Sequence, residues 1–285
     1  MSDRRKVLPQ YVMPKRGLTA FAGRVASRER GATTTRLVRW FVRKYGVDMS
    51  EAALSDIAAY RSFNDFFTRA LKEGVRPIAD ADLICPVDGT VSQFGRIEHD
   101  QILQAKGHRY STTALVGGDR ELAAGFHDGS FATLYLSPKD YHRIHMPCDG
   151  VLRRMIHVPG ALFSVNPTTA RGVPGLFARN ERVVCVFESP LVGPFVLTLV
   201  GAIIVGSMAT VWHGAVRLPR VRRVREWRYA AGAVSLKKGD EMGRFMLGST
   251  VVLLFPKGEL RFDPAWQSGG PVRFGESMAD LGRAP

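Results

Sequence analysis

From Ser189 to Trp212 the chain runs for 24 residues without a formal charge. That is long enough to cross a bilayer as a helix, so how this stretch folds decides what kind of protein this is. Gly193-Pro194, Gly201 and Gly206 cut it into pieces of strand length, and Thr and Val are frequent within them. A helix would lose a hydrogen bond at the proline and stability at each glycine. Strands joined by turns lose neither. The expectation is buried strands and no transmembrane helix. The same texture fills the chain after Pro77. Leu83–Cys85, Thr90–Phe94, Phe131–Leu136, Val183–Phe187, Phe195–Val200, Ile203–Val205 and Val251–Phe255 are short β-branched or aromatic runs separated by Gly, Pro and Asp turns.

The first 75 residues read differently. Leu18, Phe21, Ala22 and Val25 fall on one helical face, with Arg24 and Arg28 on another. In a second segment Thr33–Thr35 can cap a helix ending before Gly46. There Leu37, Trp40, Phe41 and Tyr45 share a face beside a stripe of Arg36, Arg39 and Arg43. Two readings stay open: helices packed on a core with a solvated basic side, or helices lying in a membrane interface with Trp and Phe at the acyl boundary. A further helix is expected over roughly 50–71. The fold class is α+β, with short amphipathic N-terminal helices in residues 1–75 and a single β-rich body in 76–285. The start of the sequence has no apolar run long enough for a signal peptide.

Charge sharpens the division. The net charge is +14. Residues 1–48 carry 12 basic and 3 acidic side chains, residues 217–228 carry 6 and 1, and the remainder is neutral in sum. Two basic patches on a balanced body suit a phosphate-bearing partner, nucleic acid or an anionic membrane. No helix-turn-helix, RNA-recognition or zinc signature supports nucleic acid. Three cysteines without a CxxC spacing argue for a reduced compartment.

Three clusters carry side chains able to do chemistry: the Asp-Gly turn Pro86-Val87-Asp88-Gly89-Thr90, the run Asp140-Tyr141-His142-Arg143-Ile144-His145-Met146-Pro147, and Leu247-Gly248-Ser249-Thr250. Each has an ordinary explanation. An Asp in such a turn commonly bonds its own backbone, Gly-Ser-Thr often enters a strand, and paired histidines can be core or surface residues. A metal-dependent hydrolase on Asp140, His142 and His145 would lack both a clear ligand spacing and a catalytic Glu. A purely structural membrane-surface protein would leave all three clusters without a role. Together they offer an acid, a base and a hydroxyl. Ser249 lacks the G-x-S-x-G elbow of hydrolases. Directly after Gly248 it suits attack on the chain itself, because glycine puts no Cβ against the preceding carbonyl and tolerates strain.

These motifs, with Gln10-Tyr11, 102–108, Phe163-Ser164-Val165-Asn166-Pro167, Phe177-Ala178-Arg179-Asn180-Glu181-Arg182, Val200-Gly201-Ala202 and Val205-Gly206-Ser207, resemble the bacterial, membrane-associated phosphatidylserine decarboxylases. The likeness covers nearly the whole chain, departing at 217–228 and at the C-terminal tip. It implies a proenzyme that cuts itself between Gly248 and Ser249 into a 1–248 β chain and a 249–285 α chain. His145 would be the general base, Asp88 its orienting residue and Ser249 the nucleophile. Ser249 would become a pyruvoyl group that forms a Schiff base with phosphatidylserine and accepts the electrons left by CO2, so that no metal or external cofactor is needed. His142 would be the proton donor, with a structural hydrogen-bond role as its alternative. The resemblance further implies a homodimer at the cytoplasmic face of the inner membrane, held peripherally on an anionic surface through residues about 10–45, with no nucleic acid.

Overall fold

The computed structural model describes residues 3–105, 107–203, 208–216, 223–246 and 249–282. At its centre is a nine-stranded antiparallel sheet. Its main path runs 225–228, 150–158, 182–189, 193–200, 249–255, 130–136, 89–96 and 271–272, and Ser235–Leu236 pairs at the side. A four-stranded sheet (214–216, 208–210, 241–245, 143–145) contains His145 and the strand that precedes Ser249 in the sequence.

The charge-free stretch is explained by its place. Gly193–Val200 pairs with Ser249–Phe255 on one side and Arg182–Ser189 on the other. Both of its faces are covered. Phe195, Leu197 and Leu199 point into one core with Val251, Leu253 and Phe255; Val196 and Val200 point into a second with Val252 and Leu254. A strand buried on both faces has no position where a charge is tolerated, so it reads as a continuous apolar run. The other expected strands are present; of the Ile203–Val205 run, Ile203 lies in a turn and Ile204 and Val205 are outside the described residues. Among the described residues no helix is long and apolar enough to cross a membrane.

Helices occupy Asp3–Val7, Pro9–Val12, Lys15–Ala26, Ala32–Tyr45 and Phe63–Phe67. Gly46, at φ 66°, ends the fourth in the left-handed conformation that glycine adopts without strain. The helix expected over 50–71 is a correction. Only a 3-10 turn at Ile57–Ala59 and the helix Phe63–Phe67 form there. Ala52 bridges to Leu71, and Asp56 and Ser62 cap those short helices, each with its side chain on a backbone N–H, which fits their preference for caps over helix interiors.

The basic helices divide residue by residue between core and surface. Val38 and Phe41 are buried against Phe63, Phe66 and Phe67. Phe41 is therefore core and not an interfacial side chain, correcting that expectation. Trp40, Leu18 and Phe21 are exposed, and Trp40 lines a shallow cleft with Arg36, Arg39, Arg43 and Lys44. The N-terminal segment also grips the body: Gln10 accepts from the Ser164 N–H at 2.9 Å and donates to Thr169 Oγ1 at 3.1 Å.

Candidate active site

Strand pairing brings the sequence-selected residues to one region. The strand Arg143–His145 pairs with Glu241–Phe245, placing His145 opposite Glu241. The Phe245 N–H then donates to the His142 carbonyl at 3.0 Å. Both histidines therefore lie against the segment that runs into Gly248-Ser249. Leu247 and Gly248 are outside the described residues. Ser249 opens the strand Ser249–Phe255 and pairs with Leu136. On the far side of that strand Gly89 is packed so tightly that a Cβ there would run into the Tyr135 carbonyl oxygen, which holds Asp88 at the same sheet end.

His145 is fixed on three sides. Nδ1 lies 2.8 Å from the Gly239 carbonyl oxygen, an acceptor, so Nδ1 carries the proton and donates. Nε2 therefore carries the lone pair and accepts from the Tyr141 hydroxyl at 3.0 Å. The Phe274 ring stacks on the imidazole at 3.7 Å between centroids and 14° between planes. Burial lowers the His145 pKa, partly offset by the Gly239 hydrogen bond, which favours the neutral form a base requires. Burial also raises the Tyr141 pKa, keeping its hydroxyl protonated.

Asp88 does not bond His145, whose ring nitrogens are both taken. Its carboxylate lies in the fork of Arg76, with Nε to Oδ1 at 3.1 Å and Nη2 to Oδ2 at 2.6 Å. Oδ1 also accepts the Phe274 N–H at 2.9 Å. Phe274 thus has its backbone on Asp88 and its ring on His145. Arg76 reaches Glu51 as well, at 2.7 Å. Hydrogen bonding to Arg76 holds the Glu51 carboxyl below its usual range.

His142 is fully buried. Its Nδ1 donates to the Asp140 carbonyl at 2.8 Å, and the Phe67 ring lies 4.0 Å away. Among the described residues its Nε2 has no hydrogen-bond partner. Burial pushes its pKa down to about 3. It is therefore neutral, with a lone pair at Nε2, and can give a proton only after taking one. That unpartnered buried nitrogen beside the end of the 241–245 strand fits a reacting group formed at residue 249. Asp140 serves this ring through its backbone; its carboxylate accepts from the Ser137 N–H.

Three contributors escaped sequence reading. Tyr141 lies inside the histidine motif, and its aromatic hydroxyl directly before His142 was the available signal. Arg76 and Phe274 are distant in sequence from Asp88, and no local pattern marks them. The loops of the other quoted motifs are pinned together by Asn180. Its Oδ1 accepts from the Phe163 N–H, and its Nδ2 donates to the Phe163 and Gly201 carbonyls.

A family profile described as phosphatidylserine decarboxylase matches residues 63–280, and one described as PSD matches residues 5–46. A phosphatidylserine decarboxylase proenzyme of Polaromonas sp. is 73% identical over 283 residues, covering 98% of this chain and 99% of its own. Proteins of the same description from Variovorax paradoxus and Azoarcus sp. are 73% and 68% identical, each over 281 residues, with 99% of this chain and 99% and 97% of their own covered. With identity at this level from end to end, and the histidine pair set against the strand entering Ser249, the chain belongs to the phosphatidylserine decarboxylase family of enzymes.

Proposed function

We infer that the chain is a proenzyme that cuts itself between Gly248 and Ser249 and decarboxylates phosphatidylserine with a pyruvoyl group made from Ser249. The observation that carries this reading is the neutral His145 ring, with Nδ1–H anchored on Gly239 and the Nε2 lone pair held by the Tyr141 hydroxyl, on a strand paired with the 241–245 strand that precedes Ser249. A serine hydroxyl at its ordinary pKa is a poor nucleophile unless a placed base takes its proton. His145 Nε2, exchanging the Tyr141 hydroxyl for that of Ser249, is that base. The Ser249 oxygen adds to the Gly248 carbonyl carbon, and the peptide C–N bond breaks as the amine takes a proton, leaving an ester. Loss of the Ser249 α-proton then expels the 1–248 carboxylate and leaves dehydroalanine. Water converts this to the pyruvoyl group with release of ammonia. Asp88 acts on His145 through Phe274, by holding the backbone of the residue whose ring the imidazole rests on.

Once formed, the pyruvoyl group supplies a carbonyl that accepts the electrons left when CO2 departs. The residues supply the rest. Decarboxylation consumes one proton, and His142 Nε2 can take it from the incoming ammonium group and return it to the carbon that lost CO2. The protein works peripherally at the cytoplasmic face of the inner membrane, where the exposed Leu18, Phe21 and Trp40 and the arginine stripe beside them meet an anionic surface.

Intact-mass analysis of purified protein tests this reading. Two chains are expected, the smaller beginning at residue 249 with a pyruvoyl terminus. Ser249→Ala and His145→Ala should remain one chain. His142→Ala should be cut yet release no CO2 from phosphatidylserine. A Ser249→Ala protein that is still cut at this bond overturns the scheme.

A further inference from the structure

A cavity of about 250 Å³ lies where the 46–76 segment meets the β-rich body, bounded by Arg69, Arg76, Asp88, Lys139, Asp140 and Arg273 among others. Its charges do not cancel pair by pair. Arg76 is taken by Asp88 and Glu51, and Glu51 also meets Arg273 at 3.4 Å. Asp48 is bonded by Ser50, and the Asp140 carboxylate by the Ser137 N–H. Each carboxylate of the lining thus accepts a hydrogen bond, those of Asp48 and Asp140 from uncharged donors. Two cations of the lining have no ion-paired carboxylate among the described residues. Lys139 is exposed at the rim. Arg69 is only 6% exposed, and its Nη2 donates to the carbonyls of Lys139 and Asp140. Among the described residues its Nε and Nη1 have no hydrogen-bond partner.

A guanidinium withdrawn from water with two unsatisfied nitrogens is unfavourable unless something else completes its bonding. Phe66 beneath it, 5.5 Å from ring centre to guanidinium, satisfies no N–H in full. The cavity is also tied to the chemistry. The same Asp140 carbonyl that receives Arg69 Nη2 receives His142 Nδ1, so Arg69 and His142 are separated by one peptide oxygen. Asp88 and Gly89, at the Ser249 end of the sheet, also line it.

Resting on the proposed function, we propose that this cavity is the phosphate subsite of the headgroup, with Arg69 and Lys139 holding the phosphodiester of the lipid. The substrate carries two anionic groups, and the chemistry selects between them. A carboxylate paired to arginine is stabilised before it leaves and less so as CO2 forms, so holding it here would slow the reaction. The phosphodiester keeps its charge throughout and can be held without that penalty. Guanidinium and ammonium donors suit it.

The test uses the wild-type protein, Arg69→Gln, Arg69→Lys and Lys139→Ala, with a short-chain phosphatidylserine kept below its micelle concentration so that vesicle docking plays no part. Expected are self-cleavage as in wild type, a KM raised about tenfold or more in Arg69→Gln, partial recovery in Arg69→Lys, a smaller rise in Lys139→Ala, and kcat changed far less than KM. Glycerophosphoserine should inhibit the wild type competitively, and Arg69→Gln should blunt that inhibition in proportion. A KM unchanged in both Arg69→Gln and Lys139→Ala overturns the subsite. So does inhibition by inorganic phosphate that depends on Arg69 while the lipid KM does not, which would make it a free-phosphate site. Loss of self-cleavage in both Arg69 variants would mark the residue as a structural strut and also overturn it. Wild-type protein that never forms the pyruvoyl chain would refute the proposed function itself, a result separate from any of these.

Discussion

Replacing Phe274 by Leu removes the ring on which His145 rests while keeping an apolar side chain in its place. Aromatic pairs contribute about 0.5–1.5 kcal/mol beyond their buried area, and the 3.7 Å, 14° stack of Phe274 on His145 is close enough to realise that range. Leucine is smaller by roughly 20 Å³, which at about 24 cal/mol per Å³ of cavity adds near 0.5 kcal/mol to global destabilisation, too little to unfold a domain of ordinary stability. If the stacking free energy serves to orient the imidazole, self-cleavage should slow by about two- to tenfold. A second effect separates orientation from simple loosening. Burial holds the His145 pKa below its ordinary value, so the base stays neutral, and cleavage persists, down to a pH below the usual imidazole range. Opening the Phe274 side to water should raise that pKa, and the acid limb of the rate profile should move to higher pH. The assay is the first-order disappearance of the 285-residue chain after rapid synthesis, followed on gels from pH 5 to 8. Rates within twofold of wild type and an unmoved acid limb would refute the idea that Phe274 positions this base.

Two further outcomes follow from the same contacts. Asp88→Asn keeps an oxygen for the Phe274 N–H but loses the charge opposite Arg76, whereas Asp88→Ala leaves that buried N–H unpaired at about 1–3 kcal/mol. Asn should therefore cut appreciably and Ala at least about tenfold more slowly, measured in the same gel assay; equal loss in both would mean that the charge and not the tether matters. For docking, Trp40→Ala combined with Arg36→Ala and Arg39→Ala should weaken co-sedimentation with phosphatidylserine-containing vesicles, each basic residue contributing about 1 kcal/mol near an anionic surface. Binding indifferent to these changes and to phosphatidylserine content would remove that surface from the account.

How much of this was legible beforehand differs from residue to residue. The strands of the central sheet could be read because Val251–Phe255 and Phe195–Val200 are short, β-branched and bounded by turns. The two-sided burial of these strands makes that signal strong. Residues 50–71 misled because their apolar spacing mimics a helix, while the caps at Asp56 and Ser62 and the Ala52–Leu71 bridge break it into short pieces. Phe41 and Trp40 adjoin in sequence, yet one packs on three phenylalanines and the other faces out, a distinction that depends on what the helix lies against. At the site, His142, His145 and Asp88 came from local motifs. Arg76 and Phe274 could not, because their roles arise from a fork and a stack that only the folded chain assembles. The direct Asp88–His145 pairing that the resemblance suggests is replaced here by contact through Phe274.

The strand Ser249–Phe255 lies in the interior of the sheet, paired from Ser249 to Phe255 on one side and from Thr250 to Leu254 on the other, and Ser277–Leu281 pairs with Leu83–Ile84 and with Leu260–Phe262. A break before Ser249 would therefore turn one chain into two without creating a partner able to leave. The small fragment would be interwoven with the large one, and its release would require the sheet itself to come apart. Dilution, which separates ordinary complexes, would leave this one whole. Its dissociation constant would be another expression of its folding equilibrium, and heating the cut protein should give a single shared transition.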